Sequence, residues 1–175
     1  MITTLKGHSV AINTIAHFPS PTQEHLLLTG SYDSTVKLWD LRQKQTVSSF
    51  KGHDMQINCL EITPDGKWFA SGAQDSLAKL WDIGSGKTIF TFNLHEAPVT
   101  CLKFNPYELT LATGSADKTV KYWDLEKFGL VSEREWENDF TKINRFVQRS
   151  QKRQEFKVLV LIQMANIFSV LLKMQ

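Results

Sequence analysis

The chain has 175 residues, of which 42% are hydrophobic, enough to bury the core of one ordinary domain. Its formal net charge is only +2, so we expect neither nucleic acid nor an acidic membrane as its main partner. The first residues lack the basic-then-apolar pattern of a secretory signal, which predicts a reducing, cytoplasmic location.

Three related stretches follow one another along the chain. Each contains a tryptophan followed by aspartate, and these tryptophans, Trp39, Trp81 and Trp123, lie 42 residues apart. A second aspartate stands six residues before each tryptophan, and a histidine stands further upstream. A period of about 40 to 45 residues with such marks is typical of the four-stranded blades of a β-propeller. The sequence therefore predicts an all-β partial propeller with three four-stranded blades, at about residues 7–45, 52–87 and 94–133.

The predicted strands come four to a repeat and are bounded by turn residues. Residues 2–6 alternate weakly and fit the outer strand of a blade. Pro19 and Pro21 predict a longer loop inside the first repeat, because proline cannot continue a ladder of hydrogen bonds. In the second repeat Pro64-Asp65-Gly66 predicts a hairpin turn. The predicted strands are 12–18, 26–31, 36–41 and 46–50, then 57–62, 68–72, 78–83 and 88–92, then 99–104, 109–114, 120–125 and 130–133.

The repeat pattern ends after Ser132, and residues 134–175 are predicted to form a helical tail. No glycine or proline follows that serine, which favours helix. Ser132-Glu133-Arg134-Glu135 fits a capping box. The apolar run 158–172 is shorter than the roughly 20 residues that cross a bilayer, so we expect a tail that is buried or docks on a partner, and no membrane insertion. Non-native coding sequence is the alternative.

Four residue types recur in every repeat: histidine, a hydroxyl residue, aspartate and tryptophan. We predict that the aspartate accepts a hydrogen bond from the histidine, and that the hydroxyl lies between the histidine and the indole N–H. Such a chain would satisfy buried polar groups and lock the outer part of each blade to its inner part. The three predicted tetrads are His8, Thr29, Asp33, Trp39; His53, Ser71, Asp75, Trp81; and His95, Thr113, Asp117, Trp123.

A Ser-His-Asp triad uses the same residue types and is the catalytic alternative. A triad needs one exposed nucleophile rather than three identical copies, so repetition favours a structural role and no enzyme activity. Cys59 and Cys101 occupy equivalent repeat positions and are predicted to be small strand residues rather than a disulfide. No zinc spacing or phosphate-binding loop is present, so no metal or cofactor is predicted. The strand residues Lys37, Lys79 and Lys121 are predicted to be solvated.

Propellers usually bind partner proteins on one face, through the loops before the inner strands and the turns between the second and third strands. Transferred by position, this rule selects residues of all three repeats. Among them Tyr32 and Met55 are the best candidate anchors, because aromatic and pliable apolar side chains dominate binding hot spots. The candidate partner-binding residues are Tyr32, Met55, Gln74 and Ala116, with Ser9, Val10, Asp54, Glu96 and Ala97 beside them.

The third repeat, with Thr113-Gly114-Ser115-Ala116-Asp117 and then Trp123-Asp124-Leu125-Glu126-Lys127-Phe128, resembles the WD-repeat propeller of katanin regulatory subunits. The resemblance covers about residues 5–133. It implies a non-catalytic partner of the microtubule-severing ATPase, helping to target that enzyme in the cytoplasm and cytoskeleton, at centrosomes or spindle poles. The alternative is a generic WD-repeat scaffold of another complex, such as a ubiquitin-ligase receptor or a ciliary or centriolar assembly factor.

Three blades are fewer than the about four to eight of closed propellers. We therefore expect two open sheet faces, which favours a fragment of a larger propeller; an incomplete gene product and self-association are the alternatives.

Overall fold

The computed structural model describes residues 4–105 and 108–135, and its side chains as far as Glu133. Twelve strands form three separate four-stranded antiparallel sheets, each made of consecutive strands. We number these sheets blades 1 to 3. Blade 1 contains β1 (Ile12–His17), β2 (Leu26–Ser31), β3 (Thr35–Asp40) and β4 (Gln45–Lys51). Blade 2 contains β5 (Ile57–Ile62), β6 (Trp68–Ala73), β7 (Ala78–Asp82) and β8 (Thr88–Phe92). Blade 3 contains β9 (Val99–Phe104), β10 (Thr110–Ser115), β11 (Thr119–Asp124) and β12 (Gly129–Glu135).

Short polar turns join the strands, and aspartate side chains hold them. After β3, Asp40 Oδ1 accepts the backbone amides of Arg42 and Gln43 at 2.8 and 3.2 Å, and Asp82 and Asp124 hold the matching turns of blades 2 and 3. The predicted turn at Gly66 is present, with φ at +69°, a conformation that glycine adopts without steric strain.

The blades pack side by side, each through the inner strand of the next. Ile57 on β5 is fully buried against blade 1, and Val99 on β9 is fully buried against blade 2. Burial of such β-branched side chains contributes about 1.5–3 kcal/mol each. An ion pair between Glu61 and Lys103 joins β5 to β9.

Aromatic side chains fill the outer part of the core between blades 1 and 2. Phe69 and Trp81 stack with an interplanar angle of 6°, and Phe50 meets both rings edge-on. All three rings are buried in the core that blades 1 and 2 share.

The predicted all-β propeller segment is confirmed in fold class and in its four strands per repeat. Two local predictions are wrong. Residues 134 and 135 extend β12 rather than begin a helix, because they pair with β11 and tertiary pairing overrides the capping pattern at 132–135. Residues 4–6 form no strand. The predicted tail from 136 onward, with the apolar run 158–172, lies outside the described residues.

Lys121 also departs from the sequence prediction. Its side chain is buried and pairs with Glu133 on β12, whereas Lys37 and Lys79 donate to the hydroxyls of Ser49 and Thr91 at the same register. The carboxylate on the neighbouring strand compensates the buried ammonium, as a buried charge requires. No helix in the described part of the chain is long and apolar enough to cross a bilayer.

Candidate functional site

The recurring polar residues meet at one end of each blade. There the loop before the first strand comes close to the turn between the second and third strands. In blade 1, His8 Nδ1 lies 2.8 Å from Asp33 Oδ2, and His8 Nε2 lies 2.7 Å from Thr29 Oγ1. The indole N–H of Trp39 donates to the same Thr29 oxygen at 2.7 Å. The structure thus brings the four residues of the first tetrad together in one hydrogen-bonded chain.

Blades 2 and 3 repeat this arrangement with donor–acceptor distances between 2.7 and 2.9 Å. The histidine side chains are at most 4% exposed and the aspartate side chains at most 9%. The members of these two chains are His53, Asp75, Ser71 and Trp81, and His95, Asp117, Thr113 and Trp123.

The hydrogen bonds assign one tautomer to the histidines. The ionised carboxylate of Asp33 can only accept, so the proton of the neutral His8 ring lies on Nδ1 and is donated to Asp33. Nε2 then accepts from the Thr29 hydroxyl, whose oxygen also accepts the indole N–H of Trp39. When the imidazole is neutral, these hydrogen bonds give each side chain of the tetrad a partner, and the network therefore tolerates burial.

Each tetrad aspartate also fastens two backbone segments. Asp33 Oδ2 accepts the amide of Ser9 at 3.1 Å, and Oδ1 accepts the amide of Thr35 at 3.0 Å. Asp75 and Asp117 make the equivalent bonds in blades 2 and 3. The carboxylate therefore ties the loop before the inner strand to the turn before the third strand.

These hydrogen bonds control the ionisation of the aspartates. Burial would raise the pKa of Asp33, but hydrogen bonds from Thr35, His8 and the Ser9 amide outweigh it and hold the pKa well below its usual range. In blade 3 the same opposition between burial and hydrogen bonds lowers the pKa of Asp117 to about 2.

Histidine ionisation is shifted in the same direction in blade 3. Burial lowers the pKa of His95 despite its Asp117 partner, which agrees with the neutral tautomer that the hydrogen bonds assign.

Sequence reasoning missed a fifth member of two of these networks. The hydroxyls of Thr35 and Thr119 donate to Oδ1 of the tetrad aspartate at 2.6 and 2.7 Å. Leu77 occupies this position in blade 2. The signal was available as Asp-X-Thr in repeats 1 and 3, since threonine two residues after aspartate commonly closes such a side-chain turn.

A triad-like nucleophile is not accessible in any of the three networks. The hydroxyl residues Thr29, Ser71 and Thr113 are at most 3% exposed, and each hydroxyl already accepts an indole N–H. A substrate carbonyl could not approach such an oxygen, and the geometry therefore supports a structural role for the tetrads.

In each blade, the loop before the first strand and the turn between the second and third strands lie beside the tetrad, and we call the candidate partner-binding residues of these loops and turns the loop surface. Backbone hydrogen bonds fix each turn to its neighbouring loop: Tyr32 N donates to Ala11 O, Gln74 N to Gln56 O, and Ala116 N to Pro98 O, at 3.0–3.1 Å. The loop surface consists of Ser9, Val10, Tyr32, Asp54, Met55, Gln74, Glu96, Ala97 and Ala116.

Three large apolar side chains of the loop surface are open to solvent although their backbones are held in place. Val10, Tyr32 and Met55 are 55%, 47% and 52% exposed. Asp54 and Glu96 add two exposed carboxylates at matching positions of blades 2 and 3. The candidate partner-binding residues Gln74 and Ala116 are exposed beside them. Their role in binding stays a prediction.

Comparison with known families identifies the repeats. The model of the "WD domain, G-beta repeat" family matches three times, at residues 1–40, 44–82 and 86–124. Each match contains the first three strands of one blade, and the second and third matches begin with β4 and β8, the last strands of the preceding blades. Together the matches cover more than half of the chain.

Curated relatives match over shorter stretches. The chain is 32% identical over 66 residues to a guanine nucleotide-binding protein subunit beta of Zea mays, covering 37% of this chain and 17% of that protein. It is 33% identical over 68 residues to the small ribosomal subunit protein RACK1 of Neurospora crassa, covering 39% and 21%. It is 36% identical over 69 residues to Coronin-7 of Mus musculus, covering 39% and 7%. The chain therefore spans less than a quarter of the length of these relatives.

Solved structures show the same fold. The RRP9 WD40 repeats superpose with a TM-score of 0.71 at 24% identity, covering 77% of this chain and 42% of that chain. A likeness at this identity establishes the arrangement of blades and carries no information about partners.

Proposed function

The chain belongs to the WD-repeat (G-beta repeat) family, and we propose that it is a non-catalytic module that binds partner proteins through its loop surface. The observation that carries this proposal is the exposure of Val10, Tyr32 and Met55 beside backbone that is held in place. The tetrad aspartates accept the amides of Ser9 and Asp54, which precede Val10 and Met55, and the Tyr32 amide donates to Ala11 O. Apolar side chains presented on ordered loops lose little entropy when a partner covers them, and this favours binding.

The chemistry of the loop surface indicates the kind of partner. Tyr32 offers a broad ring with a polar hydroxyl, and Met55 offers a pliable thioether. Asp54 and Glu96 are exposed carboxylates near these anchors. We therefore expect a polypeptide that inserts apolar side chains between the blades and carries lysine or arginine at its rim.

The names of the relatives support a role in assemblies. The maize relative is a subunit of a guanine nucleotide-binding protein, and the Neurospora relative is a small ribosomal subunit protein. We transfer from them only the general expectation that this chain works inside a protein complex.

A double variant, Tyr32→Ala with Met55→Ala, tests the loop surface. Partner proteins captured by the tagged wild-type chain should be depleted at least about tenfold by this variant, since hot-spot truncations cost about 2 kcal/mol or more. Val47→Ala is the matched control, because Val47 is 53% exposed on the outer strand β4 and should leave capture unchanged. Equal capture by the double variant and the control would exclude the loop surface.

We propose the katanin-type role as the specific form of this function. It rests on the run from Trp123 to Phe128 in the third repeat, and it names the katanin ATPase and microtubules as partners and the cytoskeleton as the location. Co-sedimentation with polymerised tubulin and pull-down of the ATPase test it directly. Absence of both interactions would remove this role, and recovery of ubiquitin-ligase or ciliary components instead would favour the generic scaffold.

A further inference from the structure

In blades 1 and 2 one side of the sheet packs against the next blade, and we call the matching side of each blade its far face. On blade 3 the far face consists of Cys101, Ala112, Gly114, Val120 and Tyr122, because alternation along the paired strands places these residues on one side. The sequence predicts that this face is open. The structure shows it buried, since Ala112 and Val120 are 0% and 6% exposed.

The next blade covers the far faces of blades 1 and 2. Val36 on blade 1 shares a core cluster with Ile57 of β5, and Ala78 on blade 2 shares one with Val99 of β9. Val36 and Ala78 are 1% and 0% exposed. A sheet buries a face only against a second layer of structure, so the far face of blade 3 also requires a cover.

Among residues 4–105 and 108–135, none outside blade 3 packs in the core cluster on its far face. This cluster contains Ala112 and Val120, with Cys101 and Tyr122 packed against them, and all four belong to blade 3. The burial is present in a single copy of the chain. The simplest cover is therefore another segment of the same chain.

The far face of blade 3 has room for a large aliphatic side chain. At the two junctions between blades, a Cβ added to Gly30 would lie 2.6 Å from Cγ2 of Ile57, and one added to Gly72 would lie 2.5 Å from Cγ1 of Val99. Only glycine leaves space for such a close approach. Gly114 stands at the same register position of blade 3. The cover should therefore present leucine, isoleucine or valine at this point.

The apolar run 158–172 matches this chemistry. Nine of its fifteen residues are leucine, isoleucine or valine. Its polar residues Gln163, Asn166 and Ser169 recur at every third position, which places them on one side of a predicted helix and leaves the opposite side apolar. The side chains opposite the polar residues are those of Met164, Phe168 and Leu171.

The intervening chain is long enough to bring this run to blade 3. β12 ends at Glu135, and 22 residues, 136–157, separate it from the run. Such a stretch spans about 33 Å as a helix and about 70 Å when extended. A four-stranded sheet is only about 15 Å wide, so either form of the connection reaches the far face.

We propose that the apolar run 158–172 docks on the far face of blade 3 and covers it as the next blade covers blades 1 and 2. An aliphatic side chain of the run fills the space at Gly114, and its neighbours cover Ala112 and Val120. This internal docking does not depend on the partner binding that is proposed for the loop surface.

The thiol of Cys101 reports on the cover, because it lies opposite Gly114 on the far face. In the folded full-length chain it should react with a maleimide far more slowly than in the urea-unfolded chain. Phe168→Asp combined with Leu171→Asp should raise this rate at least about tenfold, because two carboxylates cannot remain in an apolar contact and the run is released.

A matched control adds the same charge on the other side of the run. Asn166→Asp combined with Ser169→Asp should leave the labelling rate of Cys101 unchanged. Peptide mass spectrometry separates this thiol from that of Cys59, which packs in the core between blades 2 and 3. Cys59 should stay protected in both double variants, and its reaction would report unfolding of the blades instead of release of the run.

Cross-linking identifies the segment on the far face without a disruptive change. Met164→Cys, Phe168→Cys and Leu171→Cys, made singly, each place a thiol on the apolar side of the run. A short bismaleimide should join at least one of them to Cys101 within a single chain. A link between two chains would assign the cover to a second copy.

The proposal is overturned if Cys101 of the wild-type chain reacts as fast as in the unfolded chain, since the far face would then be open. It is equally overturned if the two double variants label alike while Cys59 stays protected. Should the Phe168 and Leu171 double variant unfold, the cross-links decide: joined single chains support the docking, and joined pairs or no product at all three positions exclude it.

Discussion

Blade 2 differs from blades 1 and 3 in the support of its tetrad aspartate. In blades 1 and 3 the hydroxyls of Thr35 and Thr119 donate to Oδ1 of the aspartate. Leu77 stands at this position in blade 2, so Oδ1 of Asp75 receives the Leu77 amide without a hydroxyl from that residue. The histidine–aspartate distances are nevertheless 2.7–2.8 Å in all three blades. The geometry of the network thus does not depend on the threonine.

The threonine hydroxyl is also a second possible hydrogen-bond acceptor for the histidine. Oγ1 of Thr35 lies 3.4 Å from His8 Nδ1, and Oγ1 of Thr119 lies 3.3 Å from His95 Nδ1. The Leu77 side chain offers His53 no such oxygen. In blades 1 and 3 the aspartate is supported by backbone amides and by a threonine hydroxyl. In blade 2 the residue at the threonine position supplies only its backbone amide.

Acidification should produce the largest effect, because it acts on all three networks. The folded-state pKa of Asp117, about 2, lies below its ordinary value of 3.8, so its contribution to stability is complete above pH 4 and is lost as the pH falls towards 2. The lowered pKa of His95 acts in the same direction, since the unfolded chain takes up that proton first as the pH falls below about 6.5. Urea unfolding at a series of pH values measures the loss.

Acidification should also open blade 2 at a higher pH than blade 1. Asp75 accepts fewer hydrogen bonds in its charged form than Asp33 does, and fewer donors favour protonation at higher pH. Amide hydrogen exchange should therefore show β6 and β7 opening before β2 and β3. Simultaneous opening would contradict the ranking of the blades.

Removing the aspartates should give the next largest effects. Asp75→Ala should lower the free energy of unfolding by about 3 kcal/mol, because it leaves His53 with a buried donor and no acceptor. Asp117→Ala should cost about 2 kcal/mol, because the Thr119 hydroxyl can still accept from His95. Asp54→Ala, in an exposed carboxylate beside the network, should stay within about 0.5 kcal/mol. Equal losses for Asp75→Ala and Asp117→Ala would show that the Thr119 hydroxyl does not replace the missing carboxylate as an acceptor for His95.

Changes at the tryptophan end should not distinguish the blades. Trp81→Phe and Trp123→Phe each remove one indole donor from a buried hydroxyl, at a cost of about 1–2 kcal/mol. Urea titrations should give values that agree within about 0.5 kcal/mol. A clearly larger loss in blade 2 would mean that its network differs from that of blade 3 in more than the support of the aspartate.

Transplanting the threonine should have the smallest effect and the opposite sign. Leu77→Thr adds a hydroxyl donor to Asp75 Oδ1 and should raise the free energy of unfolding by about 0.5–1 kcal/mol. Leu77→Val is the matched control, since valine has the shape of threonine without the hydroxyl. Stabilisation by both variants would assign the gain to β-branching rather than to the hydrogen bond.

The members of the tetrads could be predicted because the same four residue types recur in every repeat at a nearly constant period. The histidine, hydroxyl residue, aspartate and tryptophan recur at a spacing that only equivalent places in equivalent blades produce, and hydrogen-bond chemistry leaves few ways to pair them. The threonines were missed because Asp-X-Thr is also an ordinary turn, and blade 2 lacks it. Lys121 was misjudged because its partner, Glu133, lies on the neighbouring strand, and a pairing across strands cannot be read from the alternation within one strand.

The three repeats, their strands and the members of each tetrad could all be inferred from the amino-acid sequence, since these follow from periodicity and donor–acceptor chemistry. Only the tertiary structure decided which side chains remain exposed. Ile12 and Ile57 occupy the same repeat position and have the same side chain, yet one is 48% exposed and the other fully buried. The burial of a side chain depends on whether another blade packs against it, and the sequence of one repeat does not show which blade that is.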